Sequence, residues 1–486
     1  MRRLTPLFLS GIVALGACTD GSTPVAPEAA TASFSEAAGT DTYLVRFQGN
    51  GVPADFSARI AALGGEVIFA HPVGVAAVGG LTAESAGQLA AQGDIAGVDV
   101  DAWTELDPAP SAEAEAVASE ELESPSNPAG AVRFARQWNM KVINAPQAWA
   151  AGKKGISTVR VGILDTGIDY NHPDLAGRVD LAASRSFLSA AENRRVTATF
   201  GPNTHLVADL NYHGTHVAAT VASNAYIAAG VTSGVKLVGL KVCSPGTAAN
   251  GFRGSCPTSG TLAAILYSAD IGLPVINMSL GGSFNRRNAS AQGGDGPSFL
   301  ATINQVLTYA HRKGTLVVVS AGNSAVDMDH DGNSFKSYCS APTVVCVSAT
   351  GPTSASSVNG PWANIDALAS YSNFGRSAIS VAAPGGNGVS VTAACSGFTV
   401  VTSLLVCRNR FYNSPTSWSG FVVGLSGTSM ASPHVAGVAA LIASDGVNGP
   451  AQIRARLQNS ADDLGEPGVD PAYGKGRINA ARAVGL

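Results

Sequence analysis

Charged residues are scarce in this chain of 486 residues, where they make up 13% of the sequence, about half of the share of roughly 25% that is usual in soluble proteins. The 30 lysines and arginines are outnumbered by 34 aspartates and glutamates, so the net charge is −4. A small negative charge is unsuited to a phosphate backbone, which excludes nucleic acid as the main partner. Apolar residues make up 45% of the chain, which excludes a protein disordered throughout.

Long apolar runs are also absent, because the run at residues 7–15 is far shorter than the roughly 20 residues that a membrane-spanning helix requires. Two arginines precede this run, and small residues follow it and end in Leu-Gly-Ala-Cys at Cys18. The pattern predicts an export signal peptide over residues 1–18, followed by a polar tether at 19–40. Its ending resembles a bacterial lipobox, in which Cys18 would be acylated. An ordinary signal peptide with a chance cysteine is the alternative.

Cysteine pairs of the kind that bind metals are missing, since no C-x-x-C occurs and no histidine lies at ligand spacing beside a cysteine. Setting Cys18 aside leaves six of the seven cysteines, for which about 15 pairings exist. Bridges between neighbours in the sequence are the simplest hypothesis for an exported protein, and unpaired buried cysteines are the alternative. The expected bridges join Cys243 to Cys256, Cys339 to Cys346 and Cys395 to Cys407.

The first folded segment, residues 41–106, carries strand and helix patterns in the order β-α-β-β-α-β, which is typical of a ferredoxin-like α+β unit. Residues 107–135 follow it. Between 107 and 128 this segment is rich in Pro, Ala, Ser and Glu and contains no basic residue. Such a composition predicts a solvated, acidic linker that proteases can reach.

Short apolar, β-rich segments alternate with helical stretches from residue 136 to 486, and no internal repeat is evident. Apolar runs of this length are typical of buried parallel strands. The expected fold class is therefore α/β, a mostly parallel sheet with helices on both faces. The strand candidates are 159–164, 236–242, 274–280, 315–320 and 343–347, and the helix candidates include 260–270 and 299–313.

Three further segments place a reactive side chain at the end of a predicted element. Asp165 follows an apolar strand, His213 and His216 begin a helix of small residues, and Ser429 begins an apolar helix. Each has an ordinary explanation when taken alone: a carboxylate in a turn, a pair of metal-binding histidines, a serine that caps a helix. The histidines, however, lack the E-x-x-H spacing of zinc proteases.

Taken together, the motifs D-T-G-I-D from Asp165, H-G-T-H-V-A from His213 and G-T-S-M-A-S-P-H around Ser429 resemble those of the subtilisin-like serine proteases, in the same chain order. The resemblance extends over about residues 138–486. It implies an endopeptidase that hydrolyses protein or peptide substrates through an acyl-enzyme and requires no cofactor for its chemistry.

The chemistry of these residue types agrees with that resemblance. A serine hydroxyl is a poor nucleophile near neutral pH, so Ser429 needs a base within hydrogen-bond reach. His213 is the predicted base, and Asp165 would accept a hydrogen bond from its other ring nitrogen and fix the tautomer. In the alternative assignment His216 is the base.

Asn323, in Ser-Ala-Gly-Asn-Ser, resembles the family asparagine whose side chain donates to the oxyanion, with the backbone N–H of Ser429 as the second donor. Asn277 competes for this role. Its segment, however, resembles the family's substrate-binding strand, in which Ser279, Leu280 and Gly281 would pair with the substrate backbone.

Gly281 and Gly322 would then line the pocket for the residue before the cut, and Ala321 is a further expected substrate-binding residue.

The unit at 41–106 resembles the inhibitor propeptide of the same family, which assists folding, occupies the cleft and is cut away; a binding module of unrelated purpose is the alternative. With a lipid on Cys18, cleavage in or after the linker would separate the catalytic domain from its only membrane anchor. We expect a lipid-anchored, inhibited precursor in a bacterial cell that releases a soluble, monomeric protease to the periplasm or the extracellular space.

A calcium site is suggested by the D-x-D-x-D-G pattern of Asp327, Asp329 and Asp331, although Tyr338 stands where an EF-hand loop has its bidentate Glu. Asp174 matches a common calcium ligand position of the family. A solvated acidic turn is the alternative explanation.

Two other functional classes compete with the protease. One is a catalytically silent binding protein on the same fold. The other is an esterase of the α/β-hydrolase type, which is disfavoured because no G-x-S-x-G occurs and the order of the catalytic residues differs.

Overall fold

The computed structural model describes residues 41–49, 51–106, 114–118, 126–285, 296–336, 338–408 and 419–486. Cys18, the predicted signal peptide and the predicted tether lie outside the described residues, as do residues 107–113 and 119–125 of the acidic linker. Within the described residues, no helix combines the length and apolar character needed to cross a membrane.

The strands are β1 (Asp41–Phe47), β2 (Glu66–His71), β3 (Val75–Leu81), β4 (Ile95–Val100), β5 (Trp103–Glu105), β6 (Glu115–Ala118), β7 (Arg160–Asp165), β8 (Arg185–Ser186), β9 (Lys236–Lys241), β10 (Ser255–Pro257), β11 (Val275–Met278), β12 (Ser283–Asn285), β13 (Leu316–Ser320), β14 (Ser334–Lys336), β15 (Val345–Thr350), β16 (Ser354–Ala355), β17 (Trp362–Ala363), β18 (Val381–Pro384), β19 (Val391–Ala394) and β20 (Ser419–Leu425).

The α-helices are α1 (Phe56–Ala62), α2 (Ala83–Ala90), α3 (Trp138–Val142), α4 (Ala145–Ala150), α5 (Ala190–Phe200), α6 (His213–Val221), α7 (Thr258–Asp270), α8 (Gly296–Lys313), α9 (Thr428–Ser444), α10 (Pro450–Asn459) and α11 (Ala480–Ala483). Short 3-10 helices lie at Pro128–Gly130, Phe134–Arg136, Ala248–Asn250 and Thr402–Arg408.

The N-terminal sheet has the strand order β2-β3-β1-β4, with antiparallel neighbours throughout and with α1 and α2 as its two helices. Alternate residues of β1, namely Tyr43, Val45 and Phe47, are buried with Phe56 and Leu89 of the helices. The alternation buries one face of the strand against the helices. The elements therefore follow the order that the sequence pattern predicts.

The central sheet is seven-stranded, in the order β18-β15-β13-β11-β7-β9-β8, and each neighbouring pair is parallel. One core cluster holds α6 and α9 against one face, and a second holds α7 and α8 against the other. This is the predicted α/β class, with strand ends that differ from the expected ones by at most three residues. β18 was not among the strands that the sequence pattern indicated.

Helix α9 is buried along almost its whole length, from Thr428 to Ile442. It packs on β11, β13, β15 and β18. Small residues make this close approach feasible, since a Cβ added at Gly437 would lie 2.6 Å from Cβ of Val231. A helix that is apolar on all sides is stable only in such an interior position.

The three predicted disulfides are present in the structure. They join Cys243 to Cys256, Cys339 to Cys346, and Cys395 to Cys407. The nearest-neighbour hypothesis is therefore confirmed. Cys256 lies on β10, so the first bridge fixes this short strand close to the end of β9.

Residues 115–118 of the linker pack against the protein, which the prediction of a solvated linker did not include. Strand β6 adds to the edge of β20, and Val117 at its centre is fully buried beside Ile227 and Val422. The side chain of Glu115 forms ion pairs with Arg133 and Arg136. The acidic composition was misleading because arginines later in the chain neutralise Glu115, while one apolar residue supplies the anchor.

Two buried carboxylates join the N-terminal sheet to the helices of the central sheet. Asp99 on β4 accepts a 2.9 Å hydrogen bond from Oγ of Ser298 in the first turn of α8. Asp101 accepts a 2.8 Å bond from the backbone N–H of Ser259 and a second bond from its hydroxyl, in the first turn of α7. Each carboxyl group accepts a hydrogen bond from the first turn of a helix, so both contacts help to hold the N-terminal sheet in place.

Docking through Asp101 is expected to weaken as the pH rises. Burial raises the pKa of Asp101 to about 7, whereas an exposed aspartate has a pKa of about 3.9. Asp101 therefore binds its proton more tightly in the docked state than in the undocked state. The equilibrium constant for docking should fall between about pH 4 and 7, by at most about tenfold per pH unit.

Hydrogen exchange of residues 41–100 in the Ser429→Ala chain, corrected for intrinsic rates, should show less protection at pH 8 than at pH 5. Asp101→Asn should reduce that difference, and Asp41→Asn, at an exposed carboxylate, should leave it unchanged. Equal protection of the parent chain at both pH values would contradict this account.

Candidate active site

Asp165 and His213 meet at one edge of the central sheet. Asp165 is the last residue of β7 and His213 the first of α6. Nδ1 of His213 lies 2.8 and 3.0 Å from the two carboxylate oxygens of Asp165, which is fully buried. A carboxylate can only accept, so Nδ1 carries the proton and Nε2 is left as the acceptor.

A second carboxylate connects the loop of Asp165 to the helix of His213. Asp209 accepts hydrogen bonds from the Thr166 hydroxyl at 2.8 Å and from the Thr215 backbone and hydroxyl at 2.9 and 2.6 Å. Thr166 in turn accepts from the backbone N–H of Gly214 at 2.9 Å. Burial raises the pKa of Asp209, and the bonds from Thr215 and Thr166 oppose that shift. Sequence reasoning missed this residue, although it lies only four positions before His213.

Ser429 lies in the first turn of α9, where backbone N–H groups have no partner within the helix. Its hydroxyl lies 3.3 Å from the carbonyl oxygen of Ser279, and the Ser279 hydroxyl donates to the carbonyl of Ser429 at 2.7 Å. The Ser429 side chain is 9% exposed. The predicted nucleophile therefore lies beside the predicted substrate strand, largely buried.

Asn323 follows β13, and its amide orientation is set by Thr428. The side-chain oxygen of Asn323 accepts from the backbone N–H of Thr428 at 2.9 Å and from its hydroxyl at 2.8 Å. Because the oxygen accepts both bonds, the amide orientation is fixed, and the NH₂ group is its donor end. Asn323 and Ser429 line the same cavity.

That cavity has a volume of about 730 Å³, including space open to solvent. Its wall contains all five predicted substrate-binding residues, namely Ser279, Leu280, Gly281, Ala321 and Gly322. Two residues of the N-terminal segment, Glu105 and Leu106, also border it, and so does Lys336. None of these last three was predicted as a site residue.

The N-terminal segment enters the cleft as an extended chain. Strand β5 pairs antiparallel with β10, and the backbone N–H of Leu106 donates to the carbonyl of Gly254 at 2.7 Å. On the other side Thr104 packs on Gly282, where an added Cβ would lie 2.8 Å from the Thr104 methyl group. The segment thus runs beside the predicted substrate strand, as a bound peptide would.

The two alternative site residues are engaged elsewhere. His216 is fully buried, and its Nε2 lies 3.0 Å from the carbonyl oxygen of Val391. Burial lowers the pKa of His216 to about 3, so the ring is neutral and a weak base. Asn277 is buried between the hydroxyls of Ser279 and Ser432, at 3.0 and 2.7 Å.

The predicted calcium turn uses its carboxylates internally. Asp327 accepts from Nδ1 of His330 at 2.8 Å and from the backbone N–H of Asp329 at 2.9 Å. Asp329 accepts from the backbone N–H groups of Arg376 and Ser377 at 2.7 and 3.0 Å. Calcium requires six to eight oxygen ligands, whereas here these oxygens already bind N–H groups.

Asp174 is buried away from that turn and accepts from the backbone N–H groups of Ile227 and Ala228 at 2.9 and 3.0 Å. Asp331 belongs to the turn itself. Across the part of the chain that is described, no group of three or more His, Cys, Asp or Glu is placed to hold a metal ion. The four predicted ligands therefore do not fit a calcium site.

Comparison with known proteins agrees with this geometry. The sequence profile described as the subtilase family matches residues 157–476. A thermophilic serine proteinase from Bacillus sp. (strain AK1) is 31% identical over 334 residues, which are 68% of this chain and 63% of that protein. Thermitase from Thermoactinomyces vulgaris is 31% identical over 353 residues, which are 72% of this chain and 96% of thermitase.

A crystal structure of the epidermin leader peptide processing serine protease from Staphylococcus aureus has a TM-score of 0.67 at 21% identity, and the match covers 92% of this chain and 98% of that one. At this identity the likeness shows the fold. The family match and the relatives show more: the chain belongs to the subtilase family. It is a serine-type endopeptidase, which acts on protein or peptide substrates and needs no cofactor for its chemistry.

Replacing each histidine in turn separates the two assignments of the base. His213→Ala should lower kcat by a factor of at least about 10³, because the serine would then lose its predicted base and Asp165 the imidazole that it is predicted to orient. His216→Ala should mainly lower stability, since it removes a buried bond to Val391. Turnover per folded molecule should be measured with a peptide substrate, using circular dichroism to determine the folded fraction. Loss of turnover in the His216 variant alone would reverse the assignment.

Proposed function

We propose that Ser429 is the nucleophile, His213 the general base and Asp165 the group that orients it. The observation that carries the proposal is the bond from His213 Nδ1 to Asp165, because it fixes the tautomer in which the other ring nitrogen, Nε2, is the acceptor. Nε2 takes the proton of Ser429 as Oγ attacks the substrate carbonyl, and the Asp165 carboxylate stabilises the imidazolium that forms. The same Nε2–H then protonates the leaving amine. Water, activated by His213, hydrolyses the acyl-enzyme.

The oxyanion of the tetrahedral intermediate is proposed to bind between Asn323 Nδ2 and the backbone N–H of Ser429. Support comes from the two bonds by which Thr428 holds the Asn323 oxygen. The position of Ser429 in the first turn of α9 adds the positive end of a long buried helix. Donors that are held in place before the reaction stabilise the developing charge without reorganisation.

Covalent labelling with a fluorophosphonate tests this assignment directly. The wild-type protein should be labelled on Ser429 alone, since only an activated serine attacks phosphorus. Ser429→Ala should remove the label, whereas Ser432→Ala, three residues further along α9, should keep it. Mass spectrometry of the labelled peptide identifies the serine. A folded wild-type protein that fails to react would instead support a silent binding protein on the same fold.

We also propose that residues 41–106 are an inhibitory propeptide. The extended segment Trp103–Leu106 supports this role, because it lies between β10 and Gly282 at the cavity that contains Ser429. A peptide substrate would need the same place. The enzyme is proposed to act as a monomer, since one chain supplies all the residues of the site.

The precursor is proposed to be exported and held at the membrane by a lipid on Cys18. Cleavage within residues 107–113 or directly after them would then leave the propeptide on the lipid and free the catalytic part. Strand β6, paired with β20 and anchored by Val117, belongs structurally to the catalytic part. The cut is therefore proposed to fall before residue 114.

Intact-mass measurement of the exported protein tests this maturation. Wild-type protein should yield a catalytic fragment whose first residue lies between 107 and 114, in the soluble fraction. Ser429→Ala should stay uncleaved and bound to membranes, and adding Cys18→Ser to it should release the whole chain. Active wild-type enzyme that remains on membranes with residues 41–106 covalently attached would overturn the proposal.

A further inference from the structure

Resting on the function proposed above, we propose that Lys336 selects substrates in which the residue before the cut is acidic. Lys336 lines the same cavity as Ser429, Asn323 and the pocket glycines Gly281 and Gly322. A side chain that projects from a peptide at Ser429 into this cavity would meet the ammonium group. The proposed substrate class is therefore polypeptides cut after Glu or Asp.

Lys336 is positioned by a short two-stranded antiparallel sheet. Strand β14 pairs antiparallel with β12, and Lys336 lies opposite Ser283. The preceding residue, Phe335, is buried against the ring of Phe284, at 5.7 Å between centroids. Neighbouring residues in a strand point to opposite faces, so Lys336 faces away from this aromatic core. Its Nζ contacts the hydroxyl of Ser283, which also lines the cavity.

The other walls of the cavity are small or neutral. They include Ala321, Gly322 and the serines Ser320 and Ser324. Among the lining residues the charged ones are Lys336 and Glu105. Glu105 belongs to the segment that the proposed maturation removes, so the mature cavity would contain a single positive charge.

The environment of Lys336 favours a negatively charged partner. Burial lowers the pKa of Lys336, and the charge of Asp331 opposes that shift. Within the described residues its ammonium group forms no ion pair shorter than 4 Å. An apolar substrate side chain would desolvate the ammonium group without compensation, and a basic one would repel it. A carboxylate would replace the lost water with a charge-assisted hydrogen bond.

The chain's own sequence offers substrates of this class. Residues 104–127 contain seven acidic residues and no lysine or arginine. Glu105 already borders the cavity in the uncleaved chain. A protease that cuts after acidic residues would therefore find acceptable sites in the segment where maturation is proposed.

Peptide substrates that differ only in the residue before the cut test the inference. The set is Glu, Gln, Leu and Lys, each followed by the same chromogenic leaving group, and the readout is kcat/KM for the mature wild-type enzyme. Glu should exceed its uncharged isostere Gln by about 10- to 100-fold. High salt should reduce that ratio, because part of it is a charge interaction.

Variants assign the preference to one residue. Lys336→Met should bring the ratio of Glu to Gln close to 1 while the Leu substrate is still cleaved, and Lys336→Glu should favour the Lys substrate over Glu. Lys475→Met, at an exposed lysine outside the cavity, should keep the wild-type ratio and controls for net charge.

The outcomes separate this inference from the function on which it rests. If the wild-type enzyme cleaves the Leu and Gln substrates with the same kcat/KM as the Glu substrate, the role of Lys336 is wrong, whereas the assignment as a protease stands. The same holds if Lys336→Met keeps the preference for Glu. If folded wild-type protein cleaves none of the four substrates, the proposed function itself is contradicted.

Discussion

The hydrogen bond between His213 and Asp165 is the interaction on which the rest of the site depends. It joins the end of β7, an inner strand of the parallel sheet, to the start of α6. The carboxyl ends of parallel strands lie along one edge of a sheet, so Asp165 and Asn323 reach the same side of the molecule from β7 and β13. Helix α9 brings Ser429 to that edge, and its burial among four strands leaves the serine little freedom to move.

The cleft beside this edge is occupied by the chain itself. Trp103–Leu106 pairs with β10, while Asp99 and Asp101 are fixed to the first turns of two helices. The N-terminal sheet is therefore attached both by hydrogen bonds to helix ends and by an extended strand in the cleft. Under the proposed maturation this arrangement would keep the active site covered until the connecting segment is cut, and the proposed role of Lys336 would link the chemistry of the pocket to the acidity of that segment.

The residues proposed as catalytic could be singled out from the sequence because each is part of a local motif at the end of an element. The disulfides were also predictable, since each joins near neighbours. Lys336 was not, because it reaches the cavity from a three-residue strand without a motif. The calcium pattern misled because the N–H groups bound to Asp329 come from Arg376 and Ser377, more than 40 positions away. The acidic linker hid the buried Val117 for a similar reason: its partners are distant in the sequence.

The central claim is that one groove gathers the serine, the imidazole, the carboxylate and the amide. A crystal structure of the mature enzyme inactivated by a phosphonate ester tests it most directly, since the tetrahedral phosphorus resembles the intermediate. The account predicts phosphorus bonded to Ser429 Oγ, with one phosphoryl oxygen within hydrogen-bond distance of Asn323 Nδ2 and the Ser429 N–H. His213 should remain bonded to Asp165. An adduct on another residue, or a phosphoryl oxygen turned away from Asn323 towards solvent, would contradict the account.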